Sequence, residues 1–149
     1  MSASVSSSPI ISARPLLHVT VALLESAGLP ACDLGPEHLE HFLYCGAAEA
    51  PTGLIGLEMY GADALLRSLV VTPAAREFGL GSALVVHAES YARSQGVRAM
   101  YLLTKAAERF FAQRGYQRIT RAAAVPAIQA TREFRQLCPD SAALMAKTL

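Results

Sequence analysis

Residues 71–84 read VTPAAREFGLGSAL, and this stretch decides the fold. An apolar strand ends here, Pro73 prevents its continuation, and Gly79 and Gly81 precede apolar residues at helical spacing. Glycine lets the backbone turn sharply, so that unpaired amides at the helix N-terminus can face a phosphate. Arg76 can add a charge-assisted hydrogen bond to an anion. The stretch therefore predicts a strand, an anion-binding turn and a helix.

Two common phosphate-binding turns fit this stretch poorly. A dinucleotide-binding fold needs a third glycine where Leu84 stands, and it usually places the turn after the first strand. A Walker loop needs Gly-Lys-Ser or Gly-Lys-Thr, which is absent here. A turn that merely connects strand and helix is the remaining simple interpretation, and a Gly-x-Gly pattern alone does not exclude it.

The rest of the chain alternates strand and helix patterns. Before the turn, the periodicity predicts a strand over residues 16–21, a helix over 20–27, either type over 38–45, and a hairpin of strands 52–60 and 64–71. After it, the pattern predicts helices over 79–94, 105–114 and 126–137, alternating with strands over 97–103, 116–120 and 141–148. This order indicates an α/β (α+β) fold in which helices flank a central mixed sheet.

The length, charge and cysteine content of the chain exclude several classes of function. A chain of 149 residues fits one domain, which we place at residues 15–149 after a flexible, serine-rich tail over 1–14. The formal net charge of +1 lacks the basic excess of a nucleic-acid-binding protein, and no apolar run is long enough to span a membrane. The cysteines Cys32, Cys45 and Cys138 are odd in number and far apart, which indicates free thiols in a reducing cytoplasm.

Two motifs resemble the GNAT superfamily of N-acetyltransferases. The first matches the family's acyl-CoA motif, Val-x-Pro-x-x-Arg-x-x-Gly-x-Gly or Ala, at Val71, Pro73, Arg76, Gly79 and Gly81. The second, AERFFAQRGY over residues 107–116, is similar to the family's Ala-x-x-Phe-Tyr-x-x-x-Gly-Phe and follows at the expected distance. Two motifs in register are more specific than either alone, and they imply a GNAT-like acyl-CoA N-acyltransferase fold.

The resemblance also implies a binding mode and a reaction. Backbone groups of Leu69, Val70 and Val71 would bind the pantetheine arm of acetyl-CoA, and Phe111 would reach the cofactor. The pyrophosphate would lie on the amides of the turn, which comprises Arg76, Glu77, Phe78, Gly79, Leu80, Gly81 and Ser82. The acetyl group would pass directly from the thioester to the amine of a small molecule, with a backbone N–H polarising the carbonyl. No metal is required, and the fold is compatible with a homodimer.

Several short phrases look like the N-acetyltransferases encoded in arsenic-resistance operons. They are ALLRSLVV at 64–71, YLLT at 101–104, EF at 133–134 and LCPDSA at 137–142. This similarity implies a role in arsenic detoxification, although it does not identify a substrate.

Phe111 departs from the GNAT pattern, because many members carry a tyrosine there whose hydroxyl protonates the departing thiolate. Phenylalanine cannot donate this proton. Thr104, Tyr101 or a water could take its place, and a thiol pKa of about 8.5 also lets the thiolate leave unassisted. Thr104 is our candidate catalytic donor.

Glu58 is the candidate general base, because it follows an apolar run on a strand that should border the active-site cleft. A solvated carboxylate or an ion-pair partner is the alternative interpretation. A hairpin turn at Gly61 and Ala62 would place Glu58 opposite Leu65 and diagonal to Arg67, within reach of an ion pair. Arg67 is costly to bury without such a partner.

The same arginine has a second interpretation, as an anchor for a carboxylate or oxyanion of the substrate. Arg67 and Ser68 are therefore the candidate substrate-binding residues.

Histidine and cysteine side chains suggest two further sites. His38, His41 and Cys45 would share one face of a helix, but no fourth ligand is apparent and we predict no metal site. Cys138 could bind trivalent arsenic as a thiolate, although a free cysteine is more often a small buried hydrophobe. Besides the acetyltransferase, two alternatives therefore remain: an inactive acyl-CoA-binding module and a thiol-based arsenic-binding protein.

Overall fold

A computed structural model of the protein describes residues 9–137 and 141–149. The strands are β1 (Ile11–Ala13), β2 (Phe42–Ala47), β3 (Ala50–Tyr60), β4 (Asp63–Val71), β5 (Ala99–Thr104), β6 (Gln117–Ile119) and β7 (Ala143–Thr148). The α-helices are α1 (Leu17–Ser26), α2 (Leu80–Ser94), α3 (Glu108–Ala112) and α4 (Pro126–Gln129). Short 3-10 helices span Pro36–His41, Pro73–Phe78 and Arg121–Ala123, and a π-helical turn spans Glu133–Leu137.

The strands form one sheet in the order β1-β2-β3-β4-β5-β7-β6. The β4–β5 pair is parallel and the other neighbouring pairs are antiparallel. The expected mixed sheet flanked by helices is therefore confirmed. The predicted hairpin is also confirmed, with Glu58 directly opposite Leu65.

The prediction for the start of the chain was wrong in two places. In the range 16–21 expected to be a strand, helix α1 begins at Leu17, and Leu24 on this helix packs into an apolar cluster with Phe42 and Leu54. Burial of a helical face overrides the β-branched composition of the segment. The first strand is instead β1, which lies in the range expected to be a tail and pairs with the edge of β2.

Three other segments differ in extent from the expectation. The ambiguous range 38–45 divides into a 3-10 turn and strand β2, and the helix expected over 105–114 is reduced to α3. The helix expected over 126–137 is interrupted after α4. Thr131 explains this interruption, because its hydroxyl donates to the Ile128 carbonyl and accepts from the Phe134 amide. Such local side-chain bonds compete with a continuous helix.

Helices cover both faces of the sheet. On one face, Leu84 of α2 packs with Leu57, Leu66 and Leu102 from the central strands. The opposite face is covered by α1 and α4 through two further apolar clusters. Gly56 is required on this second face, because a Cβ there would lie 2.3 Å from the ring of Phe42.

A β-bulge in β4 separates this strand from β5. Strand β3 pairs Leu54 with Val70 and Gly56 with Arg67, so two residues of β4 oppose one residue of β3. Ser68, in the bulge, has φ of +61°, a conformation that L-residues rarely adopt. The parallel ladder with β5 ends at the pair of Leu66 and Leu102. Beyond that pair the two strands diverge and open the sheet.

Candidate active site

A cavity of about 790 Å³ lies where β4 and β5 diverge. Its walls comprise residues 28–30 after α1, residues 66–69 of β4, residues 102–107 at and after the end of β5, and Cys32, Phe111, Glu133, Gln136 and Ala142. Five residues predicted from the sequence meet here: Arg67, Ser68, Leu69, Thr104 and Phe111. Glu58 does not line this cavity.

The glycine-rich turn follows the end of β4, shortly after the residues 66–69 that line the cavity. The 3-10 helix Pro73–Phe78 leads into Gly79, which has a left-handed φ of +69°, and α2 begins at Leu80. The first helical hydrogen bond runs from the Ala83 amide to the Gly79 carbonyl, at 3.1 Å. The preceding amides, those of residues 80–82, have no acceptor within the helix. Together with the dipole of α2, they suit an anion such as a pyrophosphate.

Two arginines hold the turn. Arg76 donates from Nε to the Val71 carbonyl at 3.1 Å, so it ties the turn to the end of β4. Arg114 donates to the Ser82 hydroxyl from Nε, at 3.0 Å, and from Nη2. Its guanidinium also lies 3.6 Å from the ring centroid of Phe110. Sequence reasoning missed Arg114, although its place inside the second motif could have revealed it.

Arg67 is buried at the cavity wall among three carboxylates. Its Nη1 donates to Asp33 at 2.5 Å and to Glu58 at 2.8 Å. Its Nη2 donates to Asp33 at 3.0 Å and lies 3.1 Å from an oxygen of Glu133. Its Nε donates to Ser68 at 3.0 Å. The ion pair predicted between Glu58 and Arg67 is thus confirmed, while Asp33 and Glu133 were not foreseen.

These contacts limit the role of Arg67 as a substrate anchor and the role of Glu58 as a general base. A guanidinium has five N–H donors, and each of those of Arg67 has an acceptor here. An anionic substrate group would therefore have to displace one of them. Glu58 accepts from Arg67 through one oxygen and from the Tyr60 hydroxyl, at 2.5 Å, through the other. Its role as a general base stays a prediction.

Tyr60 supports this arrangement as a hydrogen-bond donor. Burial, together with the hydrogen bond and the charge of Glu58, raises the pKa of the Tyr60 phenol well above its ordinary value. The phenol therefore keeps its proton at neutral pH and continues to donate to Glu58.

Thr104 and Phe111 lie together on the cavity wall. The Thr104 hydroxyl oxygen accepts a hydrogen bond from the Ala107 amide at 2.9 Å, and its own proton can be donated elsewhere. Phe111 is 6% exposed and packs edge-to-face against Phe110 and Tyr116. Tyr101, the other suggested donor, belongs to a core cluster with Leu65 and is not part of this wall. The donor role of Thr104 stays a prediction.

The sequence model of the acetyltransferase (GNAT) family matches residues 21–119. This match covers more than half of the chain and includes both motifs. The chain belongs to the GNAT acetyltransferase family. No significant relative of this acetyltransferase is found among curated protein sequences.

Solved structures share the fold of this GNAT acetyltransferase at low sequence identity. N-acetylglutamate synthase from Neisseria gonorrhoeae, complexed with coenzyme A and N-acetyl-glutamate, has a TM-score of 0.76 at 17% identity over 94% of this chain. The chain spans only 35% of that synthase. Rv2747 from Mycobacterium tuberculosis, in a complex that includes CoA, has a TM-score of 0.75 at 18% identity. The match covers 95% of this chain and 99% of the Rv2747 chain.

An acetyltransferase from Streptococcus agalactiae has the same fold, with a TM-score of 0.71 at 18% identity. The match covers 95% of this chain and 99% of that acetyltransferase. At such identities the likeness concerns the fold. The GNAT-like acyl-CoA N-acyltransferase fold expected from the two motifs is confirmed.

The described residues of this acetyltransferase contain no metal-binding cluster and no membrane-spanning helix. Within residues 9–137 and 141–149, no group of three His, Cys, Asp or Glu side chains is placed to hold a metal ion. His38 and His41 lie on the 3-10 turn and Cys45 lies on β2, so they do not share one helix. None of the helices in the described part of the chain has the length and apolarity needed to cross a bilayer. Cys138, the suggested arsenic ligand, lies outside the described residues.

The environment of Asp33 predicts a pH dependence of stability. Burial by itself would raise the pKa of Asp33, but the hydrogen bond and charge of Arg67 outweigh it and hold this pKa below its ordinary range. A lowered folded-state pKa means that Asp33 stabilises the fold above about pH 4, and that this contribution is lost as the pH falls through the folded-state value.

We therefore expect Asp33→Asn to lower the free energy of unfolding most at pH 7, with the difference from wild type shrinking below about pH 4. Urea unfolding at a series of pH values measures this difference. Glu49→Gln, which removes an exposed carboxylate, is the control and should show no comparable change. A difference for Asp33→Asn that stays constant down to about pH 3 would contradict the argument.

Proposed function

We propose that this GNAT acetyltransferase moves an acetyl group from acetyl-CoA to the amine of a small molecule. The observation that carries the proposal is the arrangement along β4. Residues 66–69 of this strand form a wall of the cavity, and the strand then ends at Val71, next to the turn whose helix amides suit a pyrophosphate. One strand therefore connects an anion site with a cavity large enough for a thioester and a small acceptor.

The residues present fit an extended acyl-CoA. The bulge frees residues after Leu66 from pairing with β5, so backbone groups of Leu69 to Val71 are suited to hold the pantetheine arm. The backbone of Arg76 to Ser82 supplies the pyrophosphate site. Gly81 leaves the first turn of α2 without a side chain; a Cβ there would be in ordinary contact with Phe110, at 3.4 Å.

The reaction is a direct transfer between thioester and amine. A neutral amine attacks the thioester carbonyl, the carbon–nitrogen bond forms, and the carbon–sulfur bond breaks. The sulfur leaves as a thiolate and takes up a proton, while the amine nitrogen loses one. In this proposal Thr104, whose side chain lines the cavity, donates toward the sulfur, and a backbone N–H of β4 polarises the carbonyl oxygen.

In this proposal, the acceptor is a small toxic amine linked to arsenic resistance. The support is the similarity of residues 64–71, 101–104, 133–134 and 137–142 to the acetyltransferases of arsenic-resistance operons. Amino acid-like organoarsenicals are therefore the first acceptors to test. The competing candidate is an acyl-CoA-binding module without transfer activity, which Phe111 favours because it offers no proton to the leaving thiolate.

The test is release of free CoA thiol from acetyl-CoA in the presence of a panel of amines, amino acids and arsenic-containing analogues. We expect release that depends on the amine and saturates with it. Binding of acetyl-CoA without release from any amine would favour the binding module. Absence of acetyl-CoA binding would overturn the proposal.

A further inference from the structure

Arg114 carries a positive charge that no carboxylate neutralises among the described residues. Its Nε donates to the Ser82 hydroxyl at 3.0 Å, and its Nη2 donates to the same oxygen. Its Nη1 donates to the Phe110 carbonyl at 2.6 Å. Both acceptors are neutral groups, so the charge of the guanidinium remains available to a ligand.

The guanidinium lies beside the first turn of α2. Ser82 belongs to this turn, and its amide is one of those of residues 80–82 that have no acceptor within the helix. The guanidinium also lies over the Phe110 ring, and the same ring is next to Gly81, where a Cβ would lie 3.4 Å from it. Arg114 is therefore held next to the amides that suit a pyrophosphate.

The contacts of Arg114 leave hydrogen-bond donors at this place. A guanidinium has five N–H groups, and Ser82 and Phe110 take up three of them within the described part of the chain. Ser82 accepts twice from Arg114, which occupies both lone pairs of its hydroxyl and leaves its proton to be donated. Amides, a hydroxyl proton and a guanidinium together suit an oxyanion.

The other basic side chains near the proposed acyl-CoA site are less suited to this role. Arg76 is exposed and uses its Nε to hold the Val71 carbonyl. Lys105 lines the cavity but is also exposed. Water and salt screen exposed charges, whereas Arg114 is partly buried against Phe110. Arg114 is therefore the basic residue whose charge acts most strongly on an anion at the turn.

We propose that Arg114 selects the acyl donor by binding a phosphate group of that donor, through its remaining N–H groups and through the proton of Ser82. This inference rests on the proposed function and narrows its donors to thioesters whose pantetheine arm carries phosphate, as in CoA. A thioester of pantetheine alone has the same reacting atoms but offers no anion to this site. Arg114 therefore acts on binding of the donor and not on the transfer step.

The first test measures kcat/KM with acetyl-CoA and with S-acetylpantetheine. For Arg114→Gln we expect a fall of about 30-fold with acetyl-CoA, mainly through KM, and of less than about 3-fold with S-acetylpantetheine. Arg114→Lys keeps the charge but lacks the planar fork, and it should lie between wild type and Arg114→Gln. Arg118→Gln removes an arginine that is 64% exposed and is the control.

A further variant separates binding of phosphate from support of the turn. Ser82→Ala removes the tie between the turn and Arg114 but keeps the guanidinium, and alanine is well tolerated in a helix. We expect kcat/KM with acetyl-CoA to fall only about 5-fold. A loss as large as that of Arg114→Gln would mean that Arg114 only holds the turn, and it would overturn the inference.

The two donors also separate this inference from the proposed function. A wild type that acetylates amines, with an Arg114→Gln variant that is unimpaired or equally impaired with both donors, would overturn donor selection by Arg114 and leave the transferase standing. A wild type that acetylates no amine with either donor would remove the proposed function itself.

A second measurement does not depend on turnover. CoA and pantetheine are titrated calorimetrically into the wild type and into Arg114→Gln, and we expect the ratio of the two affinities to be about 30-fold smaller in the variant. In the wild type, rising ionic strength should weaken binding of CoA and leave that of pantetheine unchanged. Equal binding of CoA and pantetheine by the wild type, or the same ratio in both proteins, would overturn the proposal.

Discussion

The Gly81→Trp variant is expected to bind acetyl-CoA about 100-fold more weakly than the wild type, with loss of transfer activity in proportion. Gly81 belongs to the first turn of α2, where the amides lack helical acceptors. A Cβ at this position would be in ordinary contact with Phe110 and Val71, at 3.4 and 3.8 Å. Because Cβ atoms of a helix tilt toward its N-terminus, we expect an indole here to crowd the space in front of these amides. Calorimetric titration with acetyl-CoA measures the loss of affinity.

The matched control places the same new side chain elsewhere on the same helix. Val86 is 60% exposed on α2, and Val86→Trp should keep the wild-type affinity. Thermal unfolding of both variants establishes whether the fold is retained. Wild-type affinity in a folded Gly81→Trp variant would show that the turn does not bind the cofactor.

The Arg67→Met variant is expected to lower the free energy of unfolding by about 3–5 kcal/mol. Methionine fills a similar volume but leaves the carboxylates of Asp33, Glu58 and Glu133 facing one another without a cation. Removing one partner of a buried ion pair leaves uncompensated charge in a poorly solvated place, and that penalty dominates the loss. Urea unfolding monitored by circular dichroism measures it.

Arg118→Met is the control for this substitution. Arg118 lies 3.5 Å from Glu108, and the two side chains are 64% and 44% exposed. Such a surface pair contributes at most about 1 kcal/mol. A loss for Arg67→Met no larger than for Arg118→Met would contradict the structural role assigned to the cluster.

Local pattern sufficed to predict the centre of the fold. The turn at Gly61 fixes the β3–β4 register next to it, and this register places Glu58 opposite Leu65 and near Arg67. The start of α2 could also be predicted, because the glycines mark a turn and the apolar residues after them have helical spacing.

The parts that sequence reasoning missed depend on contacts between distant segments. Nothing local marks Ser68 as a residue with positive φ, since the bulge is set by pairing with β3. Asp33 and Glu133 come from a loop after α1 and from the π-helical turn, and only the folded chain brings them to Arg67. Short β1 was missed because three residues give too little alternation to distinguish a strand from a tail.

The central claim, transfer of acetyl from acetyl-CoA to an amine, is tested most directly by quantifying acetylated amine and free CoA thiol in the same reaction. The account predicts equal amounts of the two products, both lost when Gly81 is replaced by tryptophan. Thiol release without acetylated amine, or no product with any amine of the panel, would contradict it.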